Sequence, residues 1–299
     1  VNSIRGLVIL GAVLILPIAV AAQGSGGGGG LDAAKIEQAL GRPGQKIGDV
    51  YKVGFPRTDL HVSVHGVAIK PALALGSWAA FTGSDEHAMV MGDLVLLEDE
   101  VNPVMEKLRA SGFEISAVHN HLLDETPRVM YMHYMGHGAA SDLAASLRAA
   151  LAVSKTSLEK PVGAPAEETE PPSWVTAVEE SLDRKGTLKG GVLSYGVPRA
   201  DSVTLGGAVI SPAAGVAEAI NFQAADAGNV ATTGDFVLTA EEVNSVISAL
   251  EAHGIRITAL HSHMLTEEPR LFFMHFWAVG PAQSVAEGIK AALDKVHVK

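Results

Sequence analysis

No cysteine occurs in the 299 residues. That excludes disulfides, thiolate zinc sites, iron–sulfur clusters, a cysteine nucleophile and a lipid anchor on cysteine. Any metal must be held by His, carboxylate or Met. Positive charge is scarce as well: 22 Lys+Arg face 33 Asp+Glu, a net charge of −11. Such a surface repels phosphate backbones, so a general nucleic-acid binder is excluded. Aromatic residues are only 5% of the chain, too few for a carbohydrate-stacking platform. Walker A, dinucleotide-fingerprint and Gly-x-Ser-x-Gly motifs are missing.

Against these absences stands one long apolar run, 6–20, which follows Arg5 and ends in Ala19-Val20-Ala21. A positive charge, an apolar core and an Ala-x-Ala site predict a secretory signal peptide over 1–22. The run is short for a membrane span, where about 20 residues are needed. A Gly-rich tether follows over 23–31. The expected location is periplasmic or secreted, with no membrane span after cleavage.

The remainder is a duplication. Shifted by 142 positions, 22 of 47 residues between 92 and 138 are identical without a gap. Gly92-Asp93 falls on Gly234-Asp235, and Pro56-Arg57-x-Asp59 matches Pro198-Arg199-x-Asp201. A unit this long is a small domain, not a solenoid repeat. The domains are placed at 32–152 and 173–299, with a Pro/Glu-rich linker over 153–172. Asp32 and Ser173 read as helix caps, and Thr239 with Glu242 as a capping box. Apolar or alternating runs at 60–69, 76–82, 88–97, 113–121 and 128–136 read as strands. Each copy is therefore expected to be α-βββ-α-ββ-α, an α+β domain with a mainly antiparallel sheet. The two should pack as a pseudo-symmetric pair.

The chemistry lies on one hairpin. Each copy holds a His-x-His, then Glu-x-Pro-Arg, then a third His on the next strand. Alternation along a strand puts His119 and His121 on one face, and a hairpin folded at 126 sets His133 opposite His119. His119, His121 and His133 should converge as ligands of a divalent metal, and His261, His263 and His275 should do the same. Glu125, with Glu267 as its counterpart, offers a fourth ligand or a general acid/base. Arg128 and Arg270 offer a clamp for a carboxylate, either Glu125 or a ligand's. His61 and His65, four apart on the expected 60–69 strand, would enrich the first site alone. Zn or Cu is the expected ion, with copper favoured only where Met130, Met132 and Met135 act as ligands rather than core filler.

At these residues the chain resembles the LppY/LpqO family of secreted lipoproteins, a domain without an assigned activity. The resemblance rests on Asp93-Leu-Val-Leu, the His-x-His-x-Leu run and Pro-Arg-x-x-x-x-His, and it spans 32–295. It implies an exported bacterial protein, although a lipobox Cys is missing here. A weaker similarity is to cupins, through His119-x-His121-x-x-x-Glu125 and its repeat at 261–267. The functional expectation is an exported binder of a divalent metal or a metal-bound small ligand. The alternatives are a cupin-like metal-dependent hydrolase, isomerase or oxygenase using Glu125, and a cell-envelope interaction module without catalysis.

Overall fold

A computed structural model describes residues 30–159 and 171–299. The signal peptide expected at 1–22, nearly all of the tether and the centre of the linker lie outside the described residues. The first repeat runs α1 (Ala33–Leu40), β1 (Gln45–Ile47), β2 (Val50–Pro56), β3 (Ser63–Val64), β4 (Val67–Ala68), α2 (Pro71–Ala74), β5 (Gly76–Gly83), β6 (Ala88–Leu97), α3 (Glu98–Ala110), β7 (Glu114–His119), β8 (Glu125–Thr126), β9 (Val129–Gly138) and α4 (Ala140–Leu151). The second runs α5 (Ser173–Leu182), β10 (Thr187–Lys189), β11 (Val192–Pro198), β12 (Thr204–Leu205), β13 (Ala208–Val209), a 3-10 turn (Pro212–Ala214), β14 (Ala217–Ala224), a second such turn (Asp226–Gly228), β15 (Asn229–Leu238), α6 (Ala240–Ala252), β16 (Arg256–His261), β17 (Glu267–Glu268), β18 (Phe272–Pro281) and α7 (Ala282–Leu293). Among the described residues no helix is long and apolar enough to cross a membrane.

Each repeat forms a six-stranded antiparallel sheet, ordered β1-β2-β5-β6-β9-β7 and β10-β11-β14-β15-β18-β16. The expected pair of α+β domains is what the structure contains. Alternation sorts each sheet into two faces. On one face of the first sheet, Phe55, Phe81, Leu94, Met132 and Tyr134 pack under α1, α3 and α4. Phe222, Phe236, Met274 and Phe276 do the same under α5, α6 and α7. The opposite faces of the two sheets pack against each other, giving helix, sheet, sheet, helix. These helix-backed open sheets are not the jelly roll that the cupin likeness implied.

The segment 60–69 departs from expectation. It is not a strand of the main sheet but the short β3–β4 hairpin, turned by His65 and Gly66 at φ 48 and 86°. Gly206 and Gly207 turn its counterpart at φ 58 and 82°. Two successive positive φ values make the turn whose twist suits a two-residue hairpin. The main sheet takes β1 and β2 instead. The hairpins join β8 and β17 in small three-stranded sheets.

Each small sheet and the turn after it form an arm that reaches across to the other repeat. Leu60, Val62, Val64 and Leu73 cluster with Val192, Ala231 and Trp277. Reciprocally, Val203, Leu205, Ile210 and Ala214 cluster with Val50, Ala80 and Met91. Arg57 anchors the first arm. It is 0% exposed and donates to the Val95 carbonyl (2.7 Å), to Glu100 (2.7 Å) and to Asp59 (2.9 Å). Arg199 repeats this with Val237, Glu242 and Asp201. Glu100 and Glu242 also accept from the backbone N–H of Leu97 and Thr239, closing the first turn of α3 and α6. One carboxylate thus starts a helix and neutralises a buried guanidinium.

Replacing Arg57 by Ala is expected to cost about 3–5 kcal/mol, because Glu100 stays buried without its partner. Urea unfolding measures it, and Arg109→Ala on the exposed side of α3 should change stability by no more than about 0.5 kcal/mol.

Candidate functional site

Six imidazoles and two carboxyls meet where the inner faces touch. On β9, His133 lies across from Asp93 of β6, and His275 of β18 lies across from Asp235 of β15. Directly opposite residues share a sheet face, so each pair points inward together. Gly92 and Gly234 precede these aspartates. A Cβ there would stand 2.2 Å from the Trp78 carbonyl or 2.0 Å from the Ala219 carbonyl, so only glycine lets the strands approach. Asp93 and Asp235 are site residues that sequence reasoning missed; the repeated Gly-Asp is the signal that could have found them.

His119 and His261 end the edge strands β7 and β16, and their rings stack across the pseudo-twofold axis at 3.5 Å between centroids. His121 and His263 follow in the loops. Tyr131 stacks on His121 at 3.3 Å and Phe273 on His263 at 3.4 Å, which fixes both rings. The loops cross-brace: Thr258 donates to the His121 carbonyl at 2.5 Å, and Ser116 donates to the His263 carbonyl.

The imidazoles mix across the repeats. His121 lies 3.7 Å from His275, and His133 lies 3.7 Å from His263, between ring centroids. Three groups place one ligand atom per residue within 4.8 Å of one another: Asp235–His261–His263–His275, His119–His121–His275 and His119–His133–His261. Such groups could hold a metal ion. The second repeat's three histidines lie together in one of these groups, joined by Asp235. His119, His121 and His133 do not form a group of their own, since each is completed by the other repeat. The register is the same in both repeats, His119 pairing with Tyr131 and His261 with Phe273, each beside a bulge.

Other expected residues lie elsewhere. Glu125 belongs to β8, pairs with Val64 and accepts from Val129 N–H at 3.3 Å. Glu267 accepts from Leu271 N–H at 3.0 Å and from Arg270 at 3.3 Å. These two close their loops, while Asp93 and Asp235 supply the carboxyls among the imidazoles. Arg270 also binds the Met264 and Leu265 carbonyls and the Ser262 hydroxyl, and Arg128 is exposed. His65 is in the hairpin turn, 59% exposed beside Asp124 and Arg256, and His61 is exposed in the preceding loop. Neither joins the cluster, because the turn removes them from the main sheet.

The electrostatics follow from burial. All six imidazoles are pushed toward the neutral form by loss of water, with mutual repulsion adding to the shift in most of them. His275 is brought down to about 3. Burial, with Asp235 adding its charge, holds Asp93 well above the usual carboxylate range, and burial raises Asp235. Backbone carbonyls set the tautomers. His119, His261 and His275 direct Nδ1 at the carbonyls of Asn120, Ser262 and Gly234, at 3.0, 3.3 and 2.8 Å. A carbonyl only accepts, so Nδ1 carries the proton and the Nε2 lone pair faces the cluster. His261 Nε2 and His275 Nε2 then meet at 2.8 Å. Two lone pairs at that distance repel unless a proton or a metal ion lies between or beside them. Nε2 of His119, His121, His133 and His263 and Oδ1 of Asp93 and Asp235 are buried without hydrogen-bond partners.

A cavity of about 330 Å³ opens onto this cluster, reaching Asp93, Asp235, His121, His133, His263 and His275. Its walls carry Lys52, Trp78, Glu218 and Asn221. Trp78 is therefore a wall of the cavity. A second cavity beside His133 and His263 is lined by Met91, Met135 and Met264.

The family described as Domain of Unknown Function (DUF1259) matches residues 34–153 and again 176–295. The chain belongs to this family. Two tandem DUF1259 copies account for the two superposable sheets and for the duplicated histidines. No curated protein matches the chain. Among solved structures it is similar to a trimeric bacterial microcompartment shell protein, PduB, at 12% identity over 85% of this chain and 89% of that one. The TM-score is 0.22, which supports no argument about fold or function.

Without metal, stability is expected to fall as pH drops. The unfolded chain binds protons on these histidines below about pH 6.5, while the folded chain resists until the depressed values are reached. Asp93, Asp235, Glu125 and Glu218, raised in the fold by burial, oppose this above about pH 3.9–4.3, but four carboxyls are set against six imidazoles. The urea midpoint in a chelator should therefore be lower at pH 5 than at pH 7.5. A midpoint that is flat or rises would contradict neutral buried imidazoles.

Proposed function

We propose that this DUF1259 protein holds a divalent metal in a centre shared by its two repeats and binds a small ligand at the side of the ion that faces the cavity. One observation carries the reading: the six histidines and Asp235 gather in groups, the ligand atoms of each within 4.8 Å of one another, and several buried nitrogens and oxygens of these residues have no hydrogen-bond partner. Unpaired buried polar atoms each cost about 1–3 kcal/mol, and a bound cation removes that cost from several at once. The backbone carbonyls that hold Nδ1–H act as the outer partners expected of metal-ligating histidines. Imidazole with carboxylate and no thiolate suits Zn²⁺. Copper is the second reading, favoured by the thioethers of Met91, Met135 and Met264 beside His133 and His263.

The access of the cavity to the ligand atoms supports an open coordination position, which distinguishes a ligand-binding or catalytic centre from a closed structural one. Export belongs to the same proposal, on the strength of Arg5 and the 6–20 run, together with the LppY/LpqO kinship suggested by the motifs.

Metal analysis of tag-free protein tests the centre. At least one Zn or Cu per chain is expected. His121→Ala and His275→Ala, from different repeats, should each lower affinity by more than the about 10–100-fold typical of losing an outer partner. Protein that neither carries nor takes up Zn²⁺ or Cu²⁺ would overturn the reading. Intact mass of exported material should place the mature N-terminus near Ala22 or Gln23, and retention of Arg5 would refute cleavage.

A further inference from the structure

The pseudo-twofold symmetry that relates the ligands fails on the cavity walls. Strand pairing puts Tyr51 opposite Phe81 and Leu193 opposite Phe222, which makes Lys52 equivalent to Ser194, Ser77 to Glu218 and Trp78 to Ala219. One ammonium, one indole and one carboxyl thus line this cavity without symmetric twins. Lys52 reaches only the Ala213 carbonyl, at 3.2 Å, and the face of Trp78, at 4.2 Å from the ring centroid. Among the described residues no carboxylate ion-pairs with it. Gly215, at φ 101°, holds the indole in place from the other repeat, since a Cβ there would come within 2.7 Å of it. Glu218 is 0% exposed. Its Oε2 accepts from Val237 N–H at 2.5 Å, its Oε1 is buried without a hydrogen-bond partner, and the residue is part of the cavity lining.

The geometry points to a small carboxylate as the ligand of this cavity, one oxygen on the metal and its negative charge toward the Lys52 ammonium, with Glu218 hydrogen-bonding its polar end. This rests on the metal centre proposed above. A carboxylate fits better than a phosphate. The one cation in the cavity wall balances a single negative charge, and a dianion would set a second charge against Asp93 and Asp235 with only Lys52 in support. The flat Trp78 face offers the carbon skeleton an apolar wall. Burial holds Lys52 at about 8, with Asp93 acting in the opposite direction, so near neutral pH the ammonium remains the major form. Burial also keeps Glu218 protonated well beyond the ordinary carboxylate range, which makes it a donor to an anion.

Lactate, a monocarboxylate with a hydroxyl end, titrated into the zinc-loaded full chain tests this, with zinc content measured before and after. Lactate should bind, and Lys52→Met should weaken it at least tenfold with zinc content unchanged. Glu218→Gln, which keeps a donor, should weaken it less. Inorganic phosphate should bind more weakly than lactate. Equal lactate affinity in wild type and Lys52→Met, no lactate binding to zinc-loaded wild type, or phosphate binding as tight as lactate would overturn the carboxylate assignment alone. A chain that takes up no metal overturns the metal centre and this assignment with it. If Lys52→Met does not fold, Lys52→Gln gives the same reading.

Discussion

Four of the imidazoles pressed between the two sheets carry a ring nitrogen that finds no partner, and both aspartates beside them keep an oxygen in the same condition. Such groups stay buried only if the surrounding structure forces them together, and here it does. Apolar clusters flank the imidazoles on both sides, each built from an arm of one repeat and the sheet of the other. Those arms are pinned by Arg57 and Arg199, whose carboxylate partners also begin the helices behind each sheet. Helix start, arm position and sheet contact are therefore mechanically continuous with the histidines.

Much of this was legible in the residues. The duplication predicted two like domains, and Asp32 and the Thr239–Glu242 capping box marked helix starts that the structure retains. The histidines stood out because three recurred at one spacing. Their partners did not. Alternation within a strand locates a face, yet it cannot show that the face belongs to a surface shared with a second sheet. Hence His121 was assigned to its own repeat, whereas its ring lies against His275.

Two misplacements have local causes. His65 and Gly66 read as the centre of an apolar strand, although two positive φ values make them a turn, and that removed His61 and His65 from the site. Glu125 sat at the spacing of a metal ligand, but β8 leaves the main sheet and carries it away. Asp93 was visible as half of a repeated Gly-Asp. Its role depends on a neighbouring carbonyl close enough to forbid a Cβ at Gly92, which only coordinates reveal.

The crossed arms bear on how such a molecule originates. Each repeat covers its partner's inner sheet and leaves its own to be covered, the arrangement of two identical subunits closed around a twofold axis. In a dimer of identical chains any change occurs twice, so a lysine placed beside one half of the cluster would be repeated beside the other. Joining the two subunits into one polypeptide lifts that restriction. Position 52 can become lysine while its twin at 194 stays serine, and 218 can become glutamate while 77 stays serine. Gene fusion here preserves a symmetric ligand set and permits a chamber with a direction, able to tell one end of a molecule from the other.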